Sequence, residues 1–221
     1  MSFSLTIALP KGRLLAPALE VLRGAGIDAD ALEVNPRKLV VQDSVLGIKF
    51  LVARPADVPT YVEYGAADLG IVGKDILMEE DKEVYELLDL GKGFCRFVVA
   101  GTRKRAAVGL ANGSSGIRVA TKFPRVAEEF FRKRGVHAEI IKLHGNTELA
   151  PLVGLSEVIV DLVSTGQTLA ENGLVIMEEI ATATARLIAN PVSYRLKAGE
   201  IDRLIRRMRA ALENGGDKAH A

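Results

Sequence analysis

One segment of the sequence combines a carboxylate with a hydroxyl-rich loop that contains a glycine. An apolar run at 158–160 leads into Asp161, and the loop follows shortly after it. The loop consists of Ser164, Thr165, Gly166, Gln167 and Thr168. Backbone N–H groups in such a loop, and at the start of the helix that follows it, can bind an anion. The hydroxyls add donors, the glycine lets the backbone approach a phosphate closely, and Asp161 can accept hydrogen bonds from two ribose hydroxyls. The segment therefore predicts a site for a ribose 5-phosphate group.

A purely structural role for the same residues is the alternative. Asp161 could cap a turn, and Ser164 and Thr165 could be ordinary helix N-caps. We favour the binding role because an apolar strand pattern precedes the acid and a helical pattern follows the loop. Other common nucleotide motifs are missing from the sequence, since residues 70–74 lack the Walker A spacing and no G-x-G-x-x-G follows a strand.

Positively charged residues follow two of the predicted strands. Lys11, Gly12 and Arg13 come directly after the first predicted strand, and Arg54 follows the third. Pro55 favours an extended conformation for Arg54. Cations at the carboxyl ends of strands are well placed to bind polyphosphate. The alternative is a set of solvated charges, but the dipole of a helix disfavours cations at its start, and this cost favours an anionic ligand.

Two further strand ends carry a weaker signal of the same kind. Gly73 and Lys74 form a glycine turn with a following charge, and Thr121 and Lys122 end another predicted strand. Turn chemistry explains the first pair about as well as ligand binding does. An exposed lysine explains the second pair equally well, so both pairs are candidates only.

Strand-like and helix-like patterns alternate along the chain, which predicts an α/β fold with mostly parallel sheets. Helices are predicted at 74–80, 124–134 and 193–214, among others. Two stretches rich in small residues, at 101–116 and 181–185, interrupt this alternation. They are interpreted as two crossings of the chain between lobes.

The two crossings predict two α/β lobes with a cleft between them. Residues 1–100 and 185–221 are expected to form the first, discontinuous lobe. Residues 101–184 are expected to form the second lobe, which contains the phosphate loop.

Charge and composition exclude several classes of protein. Lys plus Arg (29) nearly balance Asp plus Glu (28), for a formal net charge of +1, whereas a nucleic-acid binder usually has a basic surplus. The single cysteine excludes a disulfide within the chain, and none of the three histidines has metal-ligand spacing to another. No apolar stretch is long enough for a membrane span, and the N-terminus lacks the features of a signal peptide. We therefore expect a cytoplasmic protein that holds no metal through its own side chains and binds neither nucleic acid nor membrane.

Four segments together resemble the ATP phosphoribosyltransferase family, which opens histidine biosynthesis. The segments are 9–13, 68–75, 120–124 and 157–173. The last is the most specific, and it has a single acid before the loop because Val160 precedes Asp161. Common phosphoribosyltransferases carry two adjacent acids there, so this difference favours the histidine-pathway family. The resemblance implies a fold like that of type II periplasmic binding proteins, with two lobes and two crossings.

The resemblance also implies a reaction and roles for the candidate residues. The family transfers the 5-phosphoribosyl group of phosphoribosyl pyrophosphate (PRPP) to N1 of ATP and releases pyrophosphate. Mg²⁺ is expected to be held mainly by the substrate phosphates. PRPP is expected to bind to Asp161 and the loop residues 164–168, and the expected catalytic cations are Lys11, Arg13 and Arg54. The candidates for contact with ATP or pyrophosphate are Lys11, Gly12, Arg13, Gly73, Lys74, Thr121 and Lys122.

The length of the chain resembles the short form of the family. That form assembles with a regulatory subunit resembling histidyl-tRNA synthetase, so the resemblance implies a hetero-octamer and self-association of this chain. Two competing functions stay open at this point. One is a non-catalytic pair of binding lobes such as a solute sensor, and the other is a phosphoribosyltransferase that uses a different base.

Overall fold

The computed structural model describes residues 4–27, 32, 38–43, 46–110 and 116–216. The chain divides into two compact units. The first comprises Met1–Gly93 and Thr184–Ala221, and the second comprises Phe94–Ala183.

The described elements alternate between strands and helices in both units. The first segment of the first unit contains β1 (Thr6–Pro10), α1 (Leu15–Gly24), β2 (Val40–Gln42), β3 (Lys49–Ala53), α2 (Val58–Glu63), β4 (Leu69–Gly73), α3 (Lys74–Glu80) and β5 (Tyr85–Asp89). The second unit contains β6 (Cys95–Thr102), α4 (Arg103–Val108), β7 (Ile117–Thr121), α5 (Pro124–Lys133), β8 (Ala138–Lys142), α6 (Leu149–Leu152), β9 (Val158–Val163), α7 (Gln167–Glu171) and β10 (Leu174–Ala183). The chain then returns to the first unit through β11 (Ala185–Ala189), α8 (Pro191–Leu196) and α9 (Ala198–Gly216).

The sheet of the first unit is mixed, with the order β2-β3-β1-β4-β11-β5. Within it, β3, β1 and β4 run parallel to one another, while β2, β11 and β5 pair in antiparallel fashion. Side chains of β1 alternate between two buried faces: Ile7 and Leu9 pack in the core that includes α1 and α9, and Ala8 packs in the core that includes α2. The prediction of a mostly parallel sheet was wrong here, because β2 and the returning strand β11 both run antiparallel to the strands beside them.

Gly70 in β4 is a point of close approach between the sheet and α2. A Cβ at this position would lie 2.8 Å from Cγ2 of Val62 and 2.9 Å from Cγ1 of Val58. We expect Gly70→Ala to destabilise the protein by about 1–3 kcal/mol through overpacking, which thermal unfolding would measure as a lower Tm. Gly199→Ala is the matched control, since a Cβ there meets nothing within 4 Å. An unchanged Tm for Gly70→Ala would contradict the packing described here.

The second unit is built on a five-stranded sheet with the order β10-β6-β9-β7-β8. β9, β7 and β8 are parallel, and β6 is antiparallel to both β9 and β10. One buried face of this sheet includes Val98, Ile159 and Val163 packed against Ala150 of α6 and Leu169 of α7. β9, which carries Asp161, pairs in a defined register with β7 on one side and with β6 on the other.

The first crossing lies earlier in the chain than the sequence predicted. β6 belongs to the second unit because it pairs with β9 and β10, so the chain leaves the first unit between Gly93 and Phe94 rather than near residue 100. The segment 101–116 is not a crossing: it contains the end of β6 and α4, while 111–115 lie outside the described residues.

The second crossing is a single residue between two strands. β10 ends at Ala183 and β11 begins at Ala185, so Thr184 alone separates them. The Thr184 hydroxyl donates to the Asp89 carboxylate at 2.7 Å, and the Lys74 N–H donates to the Thr184 carbonyl at 2.9 Å. These bonds attach the start of β11 to both β5 and α3.

The long helix predicted at 193–214 is divided in the structure. α8 ends at Leu196 and α9 begins at Ala198. Between them, the Lys197 ammonium donates to both oxygens of the buried Asp68 carboxylate at 2.9 Å. A buried carboxylate needs a counter-charge, and this pairing lies at the break between the helices.

Over the residues described, no helix is both long enough and apolar enough to cross a membrane.

Candidate functional site

The carboxyl ends of three parallel strands meet at one edge of the second sheet. Thr121, the last residue of β7, is opposite Lys142 of β8 and Val160 of β9. The segments that follow these strands are 122–123, 143–148 and 164–166. Because ligands of open α/β sheets bind outside the carboxyl ends of the strands, this edge is the candidate site of the second unit.

Asp161 lies at this edge, one residue beyond the last pair that joins β9 to β7. Its side chain is half-buried. The Thr147 hydroxyl donates to Oδ2 of the carboxylate, and the Leu162 backbone N–H donates to Oδ1 at 2.7 Å. Because an ionised carboxylate offers about four acceptor positions, Asp161 keeps capacity for two ribose hydroxyls.

Burial raises the pKa of Asp161 above its ordinary value, and the nearby charge of Glu148 acts in the same direction. The hydrogen bonds from Thr147 and Leu162 and the positive charge of Lys122 oppose this rise without cancelling it. The carboxyl group must be ionised to accept from both ribose hydroxyls. A function that depends on Asp161 is therefore lost at a higher pH, as the pH falls, than one that depends on an ordinary aspartate.

An ion pair joins the opposite end of β9 to β7. The Glu157 carboxylate accepts from the Arg118 guanidinium at 2.7 and 3.2 Å and from the Arg118 backbone N–H at 2.7 Å. This pairing holds the pKa of Glu157 below its ordinary value. It joins the start of β9 to β7 and so contributes to the register that places Asp161 beyond the end of β7.

The predicted phosphate loop follows β9 directly. Ser164, Thr165 and Thr168 are exposed, so their hydroxyls are accessible to a ligand. Gly166 has a φ of 81°, in the left-handed region that costs other residues about 1–2 kcal/mol. The Gln167 N–H donates to the Thr165 hydroxyl oxygen at 3.3 Å, which closes a tight turn before α7.

The helix after this loop contributes less to anion binding than the sequence pattern indicated. α7 has five residues, and so few aligned peptide groups produce a small helix dipole. The backbone N–H groups and hydroxyls of the loop are therefore its main donors to an anion.

Sequence reasoning missed the segment that follows β8. Thr147 is 1% exposed and donates to Asp161, while Glu148 is close enough to influence the Asp161 carboxyl group. A positional signal could have found both residues: they follow the apolar-patterned segment 138–143, and the residues that follow parallel strands lie at one edge of a sheet.

The structure separates the roles of Thr121 and Lys122. Lys122 is exposed, and its charge acts on Asp161. Thr121 is fully buried: its hydroxyl donates to the Val160 carbonyl at 2.7 Å and accepts from the Phe123 N–H at 2.9 Å. Thr121 thus shapes the turn that presents Lys122, and its hydroxyl is not available to ATP or pyrophosphate.

The first unit has a comparable edge where β1 and β3 end in parallel. Pro10 pairs with Ala53, and the Lys11 N–H extends the ladder by donating to the Ala53 carbonyl at 2.8 Å. Lys11, Arg13 and Arg54 follow these adjacent strand ends, and all three are exposed. Gly12, between the first two, is exposed as well. Exposed cations at neighbouring strand ends are suited to bind phosphate groups.

Gly73 ends β4, which is parallel to β1, and Lys74 begins α3, but both residues already have close contacts within the first unit. The Lys74 ammonium pairs with the Glu86 carboxylate of β5. Gly73 is buried, and a Cβ there would lie 2.0 Å from Oδ1 of Asp75. Lys74 is therefore a weaker candidate for a free phosphate-binding charge than Lys11, Arg13 or Arg54.

Solved structures share this fold at low sequence identity. The chain is similar to the aliphatic sulphonate binding protein SsuA from Escherichia coli (TM-score 0.61, 12% identity, covering 97% of this chain and 74% of that one). It is also similar to Tv2483 bound to L-arginine (TM-score 0.57, 14% identity, covering 97% and 85%). The chain is therefore a two-unit α/β protein whose fold is like that of type II periplasmic binding proteins, with a candidate phosphate loop in its second unit. The family model HisG, ATP phosphoribosyltransferase, matches residues 54–210. The chain belongs to this family.

Curated relatives match nearly the whole chain. The ATP phosphoribosyltransferase of Caldanaerobacter subterraneus is 56% identical over 96% of this chain and 98% of its own length, and that of Bacillus licheniformis is 51% identical over 99% and 100%. The ATP phosphoribosyl transferase (HisG:HisZ) complex from Thermotoga maritima contains a chain that matches with a TM-score of 0.81 at 34% identity, covering 95% of this chain and 99% of that one. The predicted fold class, family and enzyme class are confirmed.

Proposed function

We propose that the protein transfers the 5-phosphoribosyl group of PRPP to N1 of the ATP adenine, as the first step of histidine biosynthesis. The products are phosphoribosyl-ATP and pyrophosphate. Membership of the family supports the reaction. One structural observation supports the assignment of the PRPP site: Asp161 lies at the carboxyl edge of the second sheet, three residues before the first exposed hydroxyl of the loop 164–168.

The second unit supplies the groups that bind the phosphorylated ribose in this proposal. Asp161 accepts hydrogen bonds from the two ribose hydroxyls. The backbone N–H groups of 164–168 and the hydroxyls of Ser164, Thr165 and Thr168 bind the 5-phosphate. Holding the sugar at both ends fixes the position of C1, and such positioning lowers the barrier to attack.

The chemical step needs no general base. Adenine N1 has a free lone pair, so it attacks C1 without losing a proton. The N1–C1 bond forms, the C1–O bond breaks, and pyrophosphate leaves with the electron pair and with inversion at C1. The ribose gains positive charge and the pyrophosphate gains negative charge, so the protein acts through positioning and electrostatics.

The cations of the first unit stabilise the phosphates in this proposal. Lys11, Arg13 and Arg54 are exposed and follow adjacent strand ends. Among the described residues, none of the three forms an ion pair with an acidic side chain. Gly12, Gly73, Lys74 and Lys122 stay candidates for the same phosphates.

Mg²⁺ enters with the substrates in this proposal. Across the described parts of the chain, no group of three or more His, Cys, Asp or Glu side chains could hold a metal ion. In this proposal the metal would be held mainly by the phosphate oxygens of the substrates. There it would offset part of the negative charge of the leaving group.

We also propose that the chain works with a regulatory subunit. The structure from Thermotoga maritima that it matches is a HisG:HisZ complex, which supports a partner of that kind. Self-association and a cytoplasmic location stay predictions.

The reaction can be tested directly. Purified protein is mixed with ATP, PRPP and Mg²⁺, and the release of pyrophosphate and the absorbance of the adduct are followed, with and without the regulatory subunit. Other nucleotides in place of ATP test whether another base is used. No adduct in the presence of the partner, or a faster reaction with another base, would overturn the proposed function.

Thr165→Ala is expected to raise KM for PRPP by about 10-fold, the effect of one hydrogen bond lost to a charged group. KM for ATP should stay unchanged, because the phosphate loop binds PRPP. Thr165→Ser keeps the hydroxyl and should retain the wild-type KM. Steady-state kinetics with each substrate varied in turn measure both constants, and equal PRPP constants for wild type and Thr165→Ala would remove Thr165 from the site.

A further inference from the structure

Thr147 is a buried threonine in direct contact with the candidate ribose-binding carboxylate. It is 1% exposed, and its hydroxyl donates to Oδ2 of Asp161. We infer that Thr147 is a positioning residue that fixes the orientation and charge of Asp161 for ribose recognition. This inference rests on the proposed function, because it assigns Thr147 a part in PRPP binding.

Backbone hydrogen bonds fix the segment that carries Thr147. The Ala150 N–H donates to the Thr147 carbonyl at 3.0 Å, and the Leu149 N–H donates to the Asn146 carbonyl at 3.2 Å. Asn146, directly before Thr147, has a φ of 48°, so its backbone is in the left-handed region. These backbone features fix the position of the segment from which the Thr147 hydroxyl reaches Asp161 in β9.

The hydroxyl itself is what the site requires at this position. Burying a hydroxyl is unfavourable unless it forms a hydrogen bond, and this one donates to the carboxylate. The Leu162 N–H holds the other oxygen at 2.7 Å. With one donor on each oxygen, the plane of the Asp161 carboxylate is set before ribose binds.

Two charged side chains act on Asp161 from the segments around it. Glu148, in the same segment as Thr147, disfavours ionisation, while Lys122 after β7 favours it. The neighbouring residue on β6 is Val98, which carries no charge. Burial already raises the pKa of Asp161, and the Thr147 hydrogen bond opposes that rise. Loss of the hydroxyl therefore raises the pKa further, and protonation then removes an acceptor for the ribose.

The test compares Thr147→Val, which keeps the shape and lacks the donor, with Thr147→Ser, which keeps the donor. We expect Thr147→Val to lower kcat/KM for PRPP by about 10- to 100-fold, as for a lost hydrogen bond to a charged group. The acid limb of its pH profile, which reports groups of the free enzyme, should move to higher pH. KM for ATP should stay unchanged, and Thr147→Ser should keep the wild-type pH profile.

A second variant separates this positioning role from a purely structural one. Thr147→Ala should show the same shift of the acid limb as Thr147→Val. A wild-type acid limb in both variants would overturn the inference, and so would failure of both to fold, since the role would then be structural. If the wild-type protein forms no phosphoribosyl-ATP with its partner present, the proposed function fails instead.

Discussion

Asp161→Asn is expected to lower kcat/KM for PRPP by about 100- to 1,000-fold, because two hydrogen bonds to a charged acceptor are weakened together. Asparagine keeps the shape of the side chain but has only one acceptor oxygen, and its amide group presents donors. The Thr147 hydroxyl and the Leu162 N–H, which both donate to the carboxylate, would compete with the ribose for that oxygen. Steady-state kinetics with PRPP varied at saturating ATP measure the effect.

Glu139→Gln is the matched control for this substitution. Glu139 is an exposed carboxylate of β8 in the same unit, and it is remote from the phosphate loop in sequence. The Glu139→Gln substitution should therefore leave kcat and KM close to the wild-type values. Asp161→Asn with wild-type kinetics and a wild-type Tm would contradict the assignment of the ribose site.

Arg54→Ala is expected to lower kcat by about 100- to 1,000-fold, the loss seen when a donor that stabilises transition-state charge is removed. Arg54 is exposed, and its backbone is extended, with a ψ of 144°, as the following Pro55 predicted. In the proposed function its guanidinium binds the pyrophosphate, which gains negative charge as the C1–O bond breaks. Because the interaction strengthens as that charge develops, kcat should fall more than KM for PRPP rises.

Arg54→Lys and Arg206→Ala complete this experiment. Lysine keeps the charge but not the two-pronged geometry of the guanidinium, so Arg54→Lys should recover only part of the activity. Arg206 is an exposed arginine of α9, and its loss should have little effect on kcat. If Arg54→Ala and Arg206→Ala behave alike, Arg54 has no catalytic role.

The sequence predicted best those features that depend on contiguous residues. The helix predicted at 74–80 is α3, and the strand, acid and loop around Asp161 follow one another without interruption. Each of these is encoded within one short window of apolar spacing and turn residues. The family resemblance rested on the same windows and was confirmed by the comparisons.

Features that depend on distant pairing were not predicted. β5 has the sequence YELLD, in which only Leu87 and Leu88 are aliphatic, and it becomes a strand because it pairs with β11, which lies far along the chain. Thr147 could not be identified alone, because its contact with Asp161 depends on the register of β7, β8 and β9. The burial of the Thr121 hydroxyl depends on the same register. The sequence alone could not predict that burial, so it predicted Thr121 as a ligand candidate.

The single residue between β10 and β11 restricts how the protein can change its length during evolution. Side chains of a strand alternate between two faces, so gaining or losing one residue reverses the faces of everything beyond it. Thr184 is the only residue between the two strands, so the connection has no loop residues that could accommodate such a change. Insertions and deletions among homologues should therefore avoid this junction and accumulate in turns that both sheets leave unpaired.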